Sequence, residues 1–303
     1  MKNQKSKQIL TSPTISLNSR ADTYWRANGF DDYLSFIRPK LQLPNSLSFS
    51  SNPNLLQDKF GIKDIGFGNW VTNEDRFNYM NGLIVALYDL NKVLSFDLYL
   101  GLGELSVGFG ARGVGRALAH YEPLSKIINI TRYHRGDEPK LARFVATGGM
   151  GSFAHEYGHF LDYIGGEYIE PSNSIFSLTG GHSTDTGRLP CGTNQHLRKI
   201  TNDILEKIFW KVPYKKQSGY YIRLLAAIDR DTEKGEYFIR RNELFARWFE
   251  AYIFQKLNSF GIVNHLLSKT KYDPRIYPTI SELQPIIPLF DKFCLYFKKG
   301  YFI

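Results

Sequence analysis

Cysteine is almost missing from this chain: of 303 residues only Cys191 and Cys294 carry a thiol. Two cysteines so far apart make no disulfide framework, and neither belongs to a CxxC pair, so a thiolate metal site is excluded. Any metal site must draw on imidazole and carboxylate. Also absent is a run near the ~18 apolar residues that a membrane helix needs, although 43% of the residues are hydrophobic. The opening MKNQKSKQILTSPTISLNS has no apolar stretch of signal-peptide length and no small-residue cleavage pattern. These absences predict a cytoplasmic protein with no membrane partner, unless a virion or a secretion machine carries it. No repeat or low-complexity block is found. The glycines around GFGARG lack the flanking Lys and the strand-to-helix context of a phosphate loop.

The charge is strongly positive, with a net +9. Its sources are scattered: Lys2, Lys5 and Lys7, then Lys215 and Lys216, Arg240 and Arg241, and Lys298 and Lys299. Scattered charge reads as a solvated surface. A nucleic-acid footprint needs clustering on one face, so nucleic acid is not expected as the main partner.

Residues 1–20 are polar and read as a flexible N-terminal segment, and 21–60 as a short helical lead-in around Tyr24, Trp25, Tyr33, Phe36 and Ile37, followed by the loop LPNSLSFSSNPN. Thr72 and Asp75 form a capping-box pattern before an amphipathic run, which predicts a helix over 73–94. Residues 95–118 are Gly-rich with β-like pieces, FDLYLGL and LSVGFG, and LSKIINIT at 124–131 is the best strand candidate. A helix over 150–164 is expected to stop at Gly165-Gly166, before a long Gly/Ser/Thr loop over 166–195. Helices follow at about 196–210, 219–228, 242–258 and 281–298, with Asn242 as the N-cap of the third. Helices outweigh strands without strict alternation, which predicts an α+β fold with a small mixed sheet.

One motif carries chemistry. His155-Glu156-Tyr157-Gly158-His159 sets two imidazoles at i and i+4, on one face of a helix. Both can reach one Zn²⁺ at about 2.0–2.1 Å. Glu156, beside the first ligand, can take a proton from the metal's water and pass it to a leaving amine. Asp162, three residues after His159, is expected to accept the second N–H of a ligand His.

A third protein ligand is needed. Asp162 and Gly165 stand where the metzincin pattern wants Gly and His, and Gly192-Thr193 is followed by Asn194-Gln195 instead of the Asp of a GTxD arrangement. RRNELFARWFEAYIF supplies Glu243 and Glu250, seven residues apart and on nearly the same helix face, so helical phase does not choose between them. Glu243 in a first turn is kept ionised by the helix dipole. Glu250 is expected to pair with Arg247 or with solvent and to matter little to a metal. His120 in AHYEP reads as a structural loop residue, and Arg112 as the partner of a buried carboxylate. His182 is too ambiguously placed to use.

The stretch from about 62 to 255 resembles the first large polyvalent protein-associated domain, a zincin-like family of phages and conjugative elements. The resemblance rests on FGNWVTNEDR (67–76), FGARGVGRALAHYEP (109–123), INIT (128–131), SFAHEYGHFLD (152–162) and ELFARWFEAYI (243–253). The two helices also look like the catalytic domain of the anthrax lethal factor type. The resemblance implies a zincin-like fold in which Glu243 completes the zinc site of His155 and His159. It also implies a Tyr shortly before that Glu as electrophilic catalyst; Tyr237 is nearest, offset by one residue. A strand before the active-site helix, here 124–131, would then take an extended polypeptide substrate by strand addition. Residues 61–303 are accordingly expected to form one catalytic domain, a zinc endopeptidase with Glu156 as general base. Two alternatives stand beside it: a virion-associated structural protein that retains zinc without proteolysis, and a DNA-associated protein of a mobile element. The sequence leaves the oligomeric state open.

Overall fold

A computed structural model describes residues 24, 31–39, 49–50, 52–69, 71–111, 119–130, 151–170, 176–187, 196–211, 216–269 and 271–301. The N-terminal segment 1–20, Trp25, Arg112 and Cys191 lie outside the described residues. Helix dominates, and the sheet is small and mixed. The described residues divide into two compact units, one within 1–87 and 98–149 and the other within 88–97 and 150–303. None of the described helices is long and apolar enough to cross a membrane.

The first unit begins with α1 (Asp31–Ile37) and α2 (Asn54–Phe60), followed by β1 (Asp64–Phe67) and α3 (Asn73–Leu94), whose last turns belong to the second unit. The start of α3 follows from its cap: the Asp75 N–H donates to the Thr72 hydroxyl at 3.1 Å. Strands β2 (Ser106–Phe109), β3 (Ala119–Glu122) and β4 (Ile127–Ile130) complete a sheet in the order β1-β2-β4-β3. The first three in that order run parallel, with Val107 opposite Ile65 on one side and Ile128 on the other. β3 lies antiparallel to β4. Phe109 stacks on Phe67 and on Tyr79 of α3, at 5.6 and 5.2 Å between ring centres, which fixes the helix on the sheet.

Three expectations change in this unit. FDLYLGL is a run of turns, not a strand: Asp97, Leu98 and Leu102 have positive φ. His120 sits in β3 opposite Asn129, not in a loop. Strand 124–131 is shorter, because Lys126 adopts φ 52° and ends the preceding turn. It is also an inner strand, bonded to β2 on one side and β3 on the other. Both rows of main-chain groups are taken, so strand addition by a substrate has no free edge there.

The second unit contains α4 (Phe153–Ile169), α5 (His196–Phe209), the β5–β6 ribbon (Trp210–Lys211 and Lys216–Gln217), α6 (Gly219–Ala227), α7 (Glu233–Ile239), α8 (Arg241–Ser259), α9 (Ile280–Leu283) and α10 (Ile287–Tyr301). Its core is aromatic: Phe245 and Phe249 of α8 meet Phe290 and Phe293 of α10 at 5.4–5.9 Å between ring centres. Burial of each such ring contributes about 1.5–3 kcal/mol. The single helix expected over 281–298 is two, because Pro285 has no N–H to continue the first and Pro288 suits the first turn of the second. The short α7 was not foreseen; Thr232 caps it by accepting the Gly235 N–H at 3.1 Å.

Helix α4 does not stop at Gly165-Gly166 but continues to Ile169. The glycines are there for proximity rather than for a left-handed cap. A Cβ on Gly165 would lie 2.6 Å from Leu178 Cδ1, and one on Gly166 would collide with the main-chain carbonyl of Phe176. The returning segment lies directly on the helix. Gly166→Ala is therefore expected to destabilise the protein by about 1–3 kcal/mol through overpacking, although alanine is the better helix former by about 1 kcal/mol. Urea unfolding checks this, and a net gain in stability would show that the segment does not press on the helix.

Candidate metal centre

Helix α4 enters the site on a main-chain cradle. The N–H groups of Gly151, Phe153 and Ala154 donate to the carbonyls of His265, Leu266 and Leu267 at 2.6, 3.3 and 3.1 Å. The last two are donors that a helix start leaves without partners. The cradle is held by Asn264, whose Oδ1 accepts from Leu266 and Leu267 while its Nδ2 donates to Asp89 at 3.0 Å. On the helix, Phe153, Tyr157, Phe160 and Leu161 are buried in the core. That fixes the direction of the remaining face, where the rings of His155 and His159 meet edge to face with centres 4.9 Å apart.

The other ligand helix, α8, starts one residue earlier than expected. Arg240 is its N-cap and Asn242 lies inside it. No side-chain cap is required, because the Arg241 and Asn242 N–H groups donate to the carbonyls of Ser183 and Gly181 at 3.0 and 3.1 Å. The helices touch at Gly158, where an added Cβ would sit 3.1 Å from Phe249 Cδ1 and 3.3 Å from Ala246 Cα. The glycine between the two histidines thus permits the approach that brings in Glu243.

His155 Nε2 lies 3.3 Å from Glu243 Oε2, and His159 Nε2 lies 3.3 Å from Glu243 Oε1. The candidate ligand atoms of His155, His159 and Glu243 all fall within 4.8 Å of one another. Tetrahedral bonds of about 2.0–2.1 Å place ligand atoms about 3.3 Å apart, the separation of each imidazole from its Glu243 oxygen, so the three side chains form a group that could hold a metal ion. Electrostatics point the same way. Burial opposes the charge on Glu243, but His159 and His155 outweigh it and hold this carboxyl far below the usual range. Burial lowers the pKa of His155, yet Glu243, Glu250 and Glu156 together push it up to about 10. The buried carboxylates thus draw positive charge into this position.

The sequence-predicted residues fall into place unevenly. Glu156 is buried beside the cluster, and its charge reaches both His155 and Tyr237. Tyr237, carried by α7, is brought to the site: its hydroxyl bonds to Glu243, and burial, Glu243 and Glu156 all raise its pKa. Asp162 does not hold a histidine. Its two oxygens accept the Thr179 N–H at 2.9 Å and the Thr179 hydroxyl at 2.8 Å, so it fastens the 176–187 segment to α4. That segment is the one whose carbonyls start α8. Glu250 is neither solvated nor paired with Arg247: it is fully buried, 3.5 Å from His155 Nδ1. Arg247 instead donates to the Phe238 carbonyl and covers the Phe238 ring. His182 is exposed and stands outside the cluster. Sequence reasoning missed both the clamp and the inner carboxylate. The usable signals were Asp162, an acid on an otherwise buried helix face, and Glu250 within the apolar run RWFEAYIF.

Burial raises the Asp162 carboxyl to about 6, against the Thr179 bonds that lower it. The folded protein therefore keeps this proton up to about pH 6, whereas the unfolded chain releases it near pH 4, so stability falls as pH rises through that window. Between pH 4 and 7 the metal-free protein is expected to lose about 2 kcal/mol relative to Asp162→Asn. Parallel urea titrations at the two pH values check this, and a constant difference would refute it.

No curated protein and no solved structure matches the chain. The sequence resemblance over 62–255 is met by a family match on a shorter and later span that includes Glu243 and Glu250 but not His155 or His159. Over residues 229–300 the chain matches the family model described as Large polyvalent protein-associated domain 1, the family that its sequence resembles.

Proposed function

We propose that the protein is a zinc-dependent peptide hydrolase. The observation that carries this reading is the meeting of His155, His159 and Glu243 with their candidate ligand atoms within 4.8 Å of one another, and with Glu156 buried beside them. The three side chains would hold the metal. When bound, zinc supplies Lewis acidity and brings the ionisation of water near neutral pH. Glu156 receives the proton of the attacking water and returns it to the leaving amine. The Tyr237 hydroxyl, which bonds to Glu243 at the edge of the site, would donate to the oxygen on which charge develops.

The polypeptide substrate belongs to this reading, and so does an origin in a phage or mobile element, supported by the family match over 229–300. A site that holds zinc only for structure needs no general base, the part that Glu156 would play. The position of Glu156 therefore favours hydrolysis over the structural alternative.

The purified protein is expected to carry one zinc per chain and to lose it in His155→Ala and His159→Ala. Glu156→Gln should keep the zinc and lose at least ~10²-fold in the rate of hydrolysis of an unfolded protein substrate. Tyr237→Phe should lower kcat with little change in zinc content. Metal analysis and product chromatography check these outcomes. Full zinc in the histidine variants would refute the site, and unchanged turnover in Glu156→Gln would refute the role of the base.

A further inference from the structure

Glu250 has no place in the scheme above, yet it touches His155 and has no exposed surface. An unpaired charge in such surroundings costs several kcal/mol, so its partners reveal what it is for. Glu250 Oε2 accepts the Tyr277 hydroxyl at 2.9 Å and lies 3.5 Å from His155 Nδ1. The Tyr277 oxygen in turn accepts from Lys269 Nζ at 2.6 Å, and the Tyr277 ring packs on Tyr272 with centres 4.6 Å apart. His155 is thereby contacted at both nitrogens by one helix. Nε2 faces Glu243 and Nδ1 faces Glu250, seven residues further along α8. Two turns of helix separate the carboxylates by about 10 Å, too far to share a cation but suited to straddling one imidazole.

We propose that Glu250 is a positioning residue of the metal centre, an inference that rests on the zinc reading above. Glu250 accepts the Nδ1–H of His155, which fixes the tautomer whose Nε2 lone pair is free for the metal. Tyr277, anchored by Lys269, fixes Glu250. Ligand histidines whose outer nitrogen is held by a carboxylate lose roughly 10–100-fold in metal affinity when that carboxylate is removed. The proposal reverses the sequence expectation that Glu250 is indifferent to the metal.

The test compares the wild-type chain with Glu250→Gln and Tyr277→Phe. Zinc affinity is measured by competition with a chromogenic chelator, and the zinc-loaded proteins, labelled with ¹⁵N-histidine, are compared by NMR. Glu250→Gln preserves volume and removes the charge. It is expected to weaken zinc binding by about 10–100-fold and to shift the His155 Nδ1–H resonance upfield, as a weaker acceptor replaces a carboxylate. Tyr277→Phe leaves the carboxylate in place and should shift the same resonance with a smaller loss of affinity. It keeps the proposal open to refutation should Glu250→Gln not fold. A purely structural role for Glu250 would leave that resonance in place. Wild-type affinity in Glu250→Gln, or an unmoved resonance in a folded variant, overturns the proposal while the zinc reading stands. A wild type that takes up no zinc overturns both.

Discussion

The crossing of α4 and α8 at Gly158 is the contact on which the site depends. Two ligands come from one helix and the third from another 84 residues later in the chain, so their geometry is only as good as the packing between the helices. Where Gly158 presents a hydrogen, Ala246 and Phe249 of α8 approach to contact distance. A side chain there would hold the axes apart, and a displacement of even half an ångström is comparable to the tolerance of a metal–ligand bond. The aromatic core behind α8 resists such a shift, because its rings cannot relax separately.

Against this packing stands a cost in charge. Glu156, Glu243 and Glu250 are all buried around two imidazoles. Each buried carboxylate costs several kcal/mol if left unpaired, whereas binding of a structural zinc is worth about 10–16 kcal/mol in small zinc-dependent folds. The second magnitude is large enough to offset the first. The opposed shifts of His155 and Glu243 show the same charge seeking compensation: in the absence of a cation, each carboxylate draws a proton onto the neighbouring imidazole.

What could be read in the sequence was local. The i, i+4 histidines, the cap at Thr72 and the periodicity of 73–94 follow from rules that span a few residues, and the structure places them as read. Glu243 needed a resemblance to be preferred over Glu250, because one helix face carries both. What escaped was long-range. Gly165-Gly166 has the composition of a helix end, and only the returning Phe176–Leu178 segment shows why small residues are needed inside the helix. Asp162 was assigned to a histidine by proximity in sequence, but Thr179 competes for it with two donors from a loop whose path no periodicity reveals. Strand 124–131 was found, yet its place inside the sheet depends on β3, a segment too short and polar to read as a strand.

Both helices of the candidate site begin against main-chain carbonyls, α4 against residues 265–267 and α8 against residues 181 and 183. A carbonyl is the same in every amino acid. The cradle segments can therefore change most of their side chains without disturbing the helices they hold, but they cannot change their length. Gain or loss of a single residue would slide each carbonyl off its N–H and turn the imidazoles or Glu243 away from their common point. Drift in identity at constant spacing, rather than retained identity, is the record that such a design leaves in diverging copies of the chain.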